Sequence, residues 1–214
     1  MAETRYFGEY ARFETSSKKD AAQLMSADNL VGDCYEIVFV AEDGERVAWI
    51  KNRFDKMVGF FNSKISRELA FCEARGFTMR AYLSFVAFSD NPKPGFYWGE
   101  VALVCYSPKE EALELFAKNI EREITKGNRP KIDLGTQGIT QVIDSKGSWI
   151  PTKQSPRPKL DGSTAYVKTK RSTTEKLVEQ GRAGNKGCSI ASWVFLIAII
   201  AVVAYFVLRA FGIF

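Results

Sequence analysis

Between Trp49 and Lys64 cations alternate with aromatic rings: Trp49, Lys51, Arg53, Phe54, Lys56, Phe60, Phe61 and Lys64 follow one another closely. Cations hold a phosphate backbone and rings stack on bases, so this is the composition of a single-stranded nucleic-acid surface. Its candidate contacts are Trp49, Lys51, Arg53, Lys56, Phe60 and Lys64. The same residues equally suit a fold whose rings are core and whose cations solubilise the rim. A second set of cations, Lys168, Lys170, Arg171, Lys176, Arg182 and Lys186, precedes a long uncharged run. Anionic lipid headgroups attract such residues by about 1 kcal/mol each near the surface. A topogenic signal with no later role is the other reading of these six.

Other chemistry is thinly supplied. The chain has no histidine, which removes the usual proton shuttle at neutral pH and the commonest metal ligand. A Ser-His-Asp or Cys-His nucleophile cannot be built from this chain alone. Cys34, Cys72, Cys105 and Cys188 form no CxxC motif, and three of them sit in apolar stretches, as buried thiols in a reducing compartment do. Cys188, just ahead of the uncharged run, is a juxtamembrane thiol open to acylation. Asp43, Asp55 and Asp90 are scattered turn residues, and Glu110, Glu111, Glu114 and Glu121 read as a solvated helix face. No glycine-rich phosphate loop or nucleophile elbow is present. The expectation is a non-enzymatic protein with no cofactor and no metal.

From Ile190 to Leu208 the chain carries 19 residues without a charge. A helix of that length spans roughly 28 Å, close to the hydrocarbon thickness of a bilayer. Trp193 and Tyr205 lie near its two ends, where amphipathic rings favour the interface, and six cations precede it while Arg209 alone follows. The positive-inside rule then places the amino-terminal part in the cytoplasm, in the pattern of a tail-anchored, single-pass membrane protein. Met1 to Ser17 is polar and has no secretory apolar core.

The net charge of +5 is unevenly spread. Residues 1–130 carry 18 basic against 20 acidic groups, and residues 131–188 carry 11 against 5. The basic character therefore belongs to the middle segment. With 46% hydrophobic and 26% charged residues, the chain is globular in composition rather than disordered.

The elements that must position these residues are α+β. Residues 34–41 are β-branched and aromatic, a turn follows at 42–45, and 46–51 returns as a hairpin. Met57 to Phe61 is a short strand in which Gly59 marks a bulge or a close approach. A helix capped by Asn62 or Ser63 and ended by Gly76 faces inward with Ile65, Leu69 and Cys72. Phe77 to Phe88 alternates Thr78, Arg80, Tyr82 and Ser84 against Met79, Ala81, Leu83 and Phe85, and Phe96 to Tyr106 is its partner strand. Ser107, Pro108 and Glu110 form a capping box for a second helix, whose stripe is Leu113, Phe116, Ala117, Ile120 and Ile124 and whose end is Gly127. Ile139 to Ile143 and Trp149-Ile150 suggest a last strand or hairpin. Pro151, Pro156 and Pro158 with interspersed cations read as a linker, and Ser172 with Glu175 as a capping box for a short helix.

Met57-Val-Gly-Phe-Phe, Ile65-Ser-Arg-Glu-Leu and Ala81-Tyr-Leu-Ser-Phe-Val together resemble the centre of a HIRAN domain over residues 31–106. The resemblance implies a small, mainly antiparallel sheet or OB-like barrel, and binding of single-stranded DNA ends. The family's acidic-Pro-x-Asn-x-x-Asp segment corresponds to Glu45–Asp55, which lacks the proline, so its DNA-contacting residues are not transferred. The expected organisation is a cytoplasmic α+β domain over 1–150 with two helices, a basic linker over 151–188 and a membrane anchor over 189–214. Its expected partners are a lipid bilayer with anionic headgroups and an unidentified protein, with membrane-tethered single-stranded nucleic-acid binding as the alternative.

Overall fold

The computed structural model describes residues 5–42, 44–90, 95–182, 195–197 and 199. The chain divides into two compact units, Met1–Arg171 and Ser172–Phe214. Within the first, β1 (Tyr6–Glu14), β2 (Cys34–Glu42), β3 (Glu45–Lys51), β4 (Met57–Phe60), β5 (Thr78–Ser89) and β6 (Phe96–Tyr106) pair antiparallel in the order β2-β3-β4-β1-β6-β5. β5 returns to β2 through Cys34–Tyr82 and Tyr35–Ala81, which closes a six-stranded barrel. The expected α+β fold with an antiparallel barrel is therefore present. β7 (Thr164–Lys168) adds to the same edge of β5 beyond the closure.

The closure is uneven. β1 and β6 pair along nine residues, whereas β1 meets β4 only at Glu14–Phe60. Two glycines make that narrow seam possible. A side chain at Gly59 would lie 2.5 Å from the Glu14 carbonyl and 2.6 Å from the Phe13 ring, and one at Gly99 would strike the same ring. Phe13 thus fills the interior where β4 and β6 carry no side chain, the close approach that Gly59 signalled.

The interior holds Ala11, Phe13, Tyr35, Ile37, Ala48, Ile50, Val58, Leu83, Val101 and Leu103. Helix α1 (Lys18–Gln23), capped by Ser17, is followed by Leu24, which joins this core. Helix α2 (Ser63–Ala74) adds Ile65, Leu69 and Cys72, with Asn62 as its cap through Oδ1 to Ile65 N–H at 3.0 Å. A second core lies outside the barrel, where α3 (Glu111–Lys126) lays Leu113, Phe116, Ile120 and Ile124 over Tyr6, Tyr82, Val104 and Tyr106. Burial of each of these four large helical side chains stabilises the fold by about 1.5–3 kcal/mol.

Four expectations change on contact with the structure. Strand β1 and helix α1 add to the expected elements, β1 within the Met1–Ser17 stretch that reads only as polar; aromatic residues fall on both faces of β1 because core and outer layer both need them. Ser107–Glu110 is a turn, and α3 begins at Glu111 with no side-chain cap, because Glu110 instead pairs with Arg5 at 2.8 Å. The expected strand at 139–143 is part of helix α4 (Gly135–Asp144), which packs on α3; Ile139, Val142 and Ile143 share one helical face at that spacing. Residues 151–171 are not a linker. Lys131 N–H donates to Lys153 O at 2.8 Å, Ser155 N–H to Arg129 O at 2.6 Å, and β7 then joins the sheet.

The second unit contains α5 (Thr173–Arg182). The expected box is formed there: Glu175 N–H donates to Ser172 Oγ at 3.2 Å and Ser172 N–H to Glu175 Oε2 at 2.8 Å. Residues 195–197 and 199 are helical and exposed. Among the described residues no helix is long and apolar enough to cross a membrane. Ile190, Trp193, Tyr205 and Leu208 of the expected span, and Lys186 and Cys188 before it, lie outside the described residues.

Candidate binding surfaces

The loop after β3 gathers part of the cation-and-ring set. Asn52 builds it, its Oδ1 accepting from Phe54 N–H at 3.0 Å and Lys56 N–H at 3.1 Å, with Asp55 at a φ of +59°. Lys51 Nζ sits between Glu36 Oε2 at 2.9 Å and Asp55 Oδ1 at 3.1 Å, and these hydrogen bonds raise its pKa. Arg53 stands 3.9 Å from Asp33 and Lys56 3.7 Å from Asp28. Trp49 and Phe60 are neighbours across β3 and β4, ring centres 5.1 Å apart, and Trp49 Nε1 donates to Glu42 at 2.7 Å. Lys64 is exposed on the first turn of α2. The rings do meet, but Lys51, Arg53 and Lys56 each face a carboxylate. Phosphate binding requires several cations whose charge is uncompensated.

The membrane-surface set also divides. Lys168 is 8% exposed and donates through Nζ to Ser26 O at 2.9 Å and Asn29 O at 3.1 Å. Arg171 donates to Val31 O at 2.7 Å and to Asp33 Oδ1 at 3.0 Å. These two cations strap β7 to the loop before β2, so they are corrected from lipid contacts to structural residues: their donors are already used by backbone carbonyls and a carboxylate. Lys170, Lys176 and Arg182 are exposed.

A feature without a sequence motif sits at the β5–β6 pairing. Where β5 pairs with β6, Leu83 faces Val101 and Phe85 faces Glu100, so Ser84 is an extra residue in a β-bulge. The bulge reverses the alternation beyond it. Phe85, expected in phase with Leu83, faces outward into a small third core with Trp98 and Tyr166, while Val86 points into the barrel. Arg129 enters beside the bulge, its Nη1 donating to Ser84 Oγ and Glu100 Oε1 at 2.5 Å each. The Tyr10 ring lies 4.2 Å from the guanidinium carbon. Burial raises the Glu100 pKa, and the Arg129 hydrogen bond and charge oppose it.

Glu100 lines a cleft of about 580 Å³. Trp98 and Ser89 form its base, Arg12 covers the Trp98 ring at 4.1 Å, and the 158–161 segment forms one wall. Tyr166 Oη holds that wall through Pro158 O at 2.5 Å. The cleft thus offers aromatic surface beside a buried carboxylate whose charge is matched internally. Glu100 is fixed there by Arg129.

No family model matches the chain, and no curated protein or solved structure matches it significantly. Sequence reasoning missed Glu100 and Arg129. The available signal was a charged residue inside the otherwise apolar strand Phe96–Tyr106, which demanded a buried partner.

Proposed function

We propose that the chain is a single-pass membrane protein that presents its barrel to the cytoplasm as a non-enzymatic interaction module. The observation that carries this reading is the uncharged run from Ile190 to Leu208, with Trp193 and Tyr205 near its ends. Phe195, Leu196, Ile197 and Ile199 support it, being helical and at least 47% exposed. Transfer of each such side chain out of water is worth about 1.5–3 kcal/mol, which a bilayer supplies. Lys170, Lys176, Arg182 and Lys186 precede the run and Arg209 follows it, the bias that orients the barrel inward. The exposed cations meet anionic headgroups, and tethering raises the local concentration of the barrel for a protein partner at the same surface.

Flotation with anionic liposomes tests this. The full chain should rise with the vesicles and stay there through high salt, while residues 1–171 should remain in the dense fraction. A full chain left at the bottom in high salt would end the reading.

The second reading is a membrane-tethered, HIRAN-like binder of single-stranded nucleic acid. The Trp49–Phe60 ring pair on an antiparallel barrel favours it; the carboxylates beside Lys51, Arg53 and Lys56 weigh against it. Titration of residues 1–171 with single-stranded DNA separates the two. Affinity tighter than about 1 mM with a steep salt slope supports nucleic-acid binding, and none at low salt removes it.

A further inference from the structure

Strand β1 has one paired edge and one open edge. β6 pairs with it along Tyr6–Glu14, whereas on the other side β4 meets it only at Glu14–Phe60. Ser107 N–H donates to Arg5 O at 3.0 Å, in line with the β1–β6 register. Hydrogen-bonded pairs alternate along an antiparallel ladder. Phe7, Glu9, Ala11 and Phe13 therefore turn their backbone groups to β6, and Gly8, Tyr10 and Arg12 turn theirs to the other edge. Glu14, which meets Phe60 there, belongs to the same set. Among the described residues no strand pairs with that edge ahead of Glu14.

A cleft of about 680 Å³ lies along the open edge. Consecutive residues, Arg5 to Glu9, line it, so the edge of the strand and not one face borders it. The far wall comes from α4 and the residues just before it, where Leu134, Ile139 and Ile143 are half-buried. Leu134 and Ile139 belong to the outer layer with Tyr6 and Tyr10, whereas Phe7 turns to the barrel core. Glu9 shares the face of Phe7, because side chains alternate along a strand. The one cation lining the cleft, Arg5, is held by Glu110 at 2.8 Å. Its acids, Glu9 and Asp133, form no ion pair among the described residues.

We propose that this cleft takes an extended segment of a partner protein, alternating apolar and basic residues, as an added strand beside β1. The proposal rests on the reading of the barrel as an interaction module and is independent of the membrane span. Backbone groups of the segment complete the ladder at Gly8, Tyr10 and Arg12, as an unpaired sheet edge invites. Its apolar side chains pack on Leu134 and Ile139, and its lysines or arginines, on the alternate face, meet Glu9. Asp133 adds a second negative charge at the same cleft. An acidic segment would meet like charge there and be turned away.

The full chain in non-ionic detergent micelles is titrated with a labelled peptide alternating valine and lysine, with empty micelles as the blank. Fluorescence anisotropy reads binding, and residue-resolved amide exchange reads its place. Saturable binding is expected, with exchange at Gly8, Tyr10 and Arg12 slowed about tenfold and exchange at Phe7 and Glu9 unchanged. The same peptide N-methylated at alternate residues keeps its charge but loses donors, and should bind about tenfold more weakly. Glu9→Lys combined with Asp133→Lys should weaken the unmethylated peptide by about tenfold. No binding, binding that ignores N-methylation, or protection that misses Gly8 and Tyr10 overturns the proposal. Gly8 and Tyr10 amides already protected in a dimer without peptide overturn it too, and assign the edge to a second copy of the chain. The peptide pair decides by itself should the double variant fail to fold. Liposome flotation reads the anchor separately, so failure here and failure of the membrane reading are told apart.

Discussion

Arg129 and Lys51 are both cations set against carboxylates, and they occupy opposite environments. Arg129 and its partner Glu100 have side chains only 6% exposed, with Ser84 and the Tyr10 ring completing the enclosure. Lys51 meets Glu36 and Asp55 at the surface, where those partners are 63% and 87% exposed. In the first region the low dielectric makes an unpaired charge costly, so the pair is bound into the fold. In the second, water screens the ions and each contact contributes little. The surface cluster attracts notice in sequence because rings and cations alternate there, yet its charge is spent on neighbouring carboxylates. The enclosed pair has no motif and sits beside the bulge of β5 in the barrel wall.

Substitution can break this contrast. Arg129→Met leaves Glu100 buried without its partner and should cost about 3–5 kcal/mol in urea unfolding of residues 1–171. Adding Glu100→Gln should restore part of the loss, because the uncompensated charge is gone. A double mutant no more stable than R129M alone would show that packing, not charge, holds the region.

The single variant E100Q carries a pH signature. Glu100 has a folded pKa above its ordinary value, so its contribution is full below the unfolded carboxylate pKa and is lost as pH rises through the folded one. The penalty of E100Q relative to wild type should therefore be smaller at neutral pH than in the acid range. Unfolding curves at several pH values check the sign.

A smaller effect is expected at the strap. Lys168→Met removes donors to the Ser26 and Asn29 carbonyls and should cost about 1–3 kcal/mol. The surface region should respond least. Lys56→Ala breaks a 3.7 Å contact with Asp28 and should cost less than about 1 kcal/mol. Equal losses for K56A and K168M would erase the distinction between a surface contact and a buried clamp.

Legibility in the sequence followed how many faces of an element are covered. The 34–51 hairpin, the α2 stripe and the α3 stripe were readable because each has one inward face at a fixed period. β1 has core on both sides over Tyr6–Tyr10 and alternates only over Ala11–Glu14, so its stretch reads merely as polar. β5 began with the expected alternation and lost it at Ser84, since a bulge inserts a residue without any composition signal. Prolines at 151, 156 and 158 suggested a linker, although proline is equally at home in a segment that crosses a sheet and is held by side chains. The strapping role of Lys168 was illegible for another reason: a buried lysine and a solvated one are the same letter, and only the nearby carbonyls tell them apart.

The central claim is that the 190–208 stretch spans a bilayer with the barrel on its cytoplasmic side. The direct test is protease protection of the full chain, tagged at both ends, in sealed vesicles whose cytoplasmic face points outward. The account predicts that the amino-terminal tag and barrel are digested while the tag after Phe214 survives until detergent is added. Digestion of both tags in sealed vesicles, or survival of the amino-terminal one alone, would contradict it.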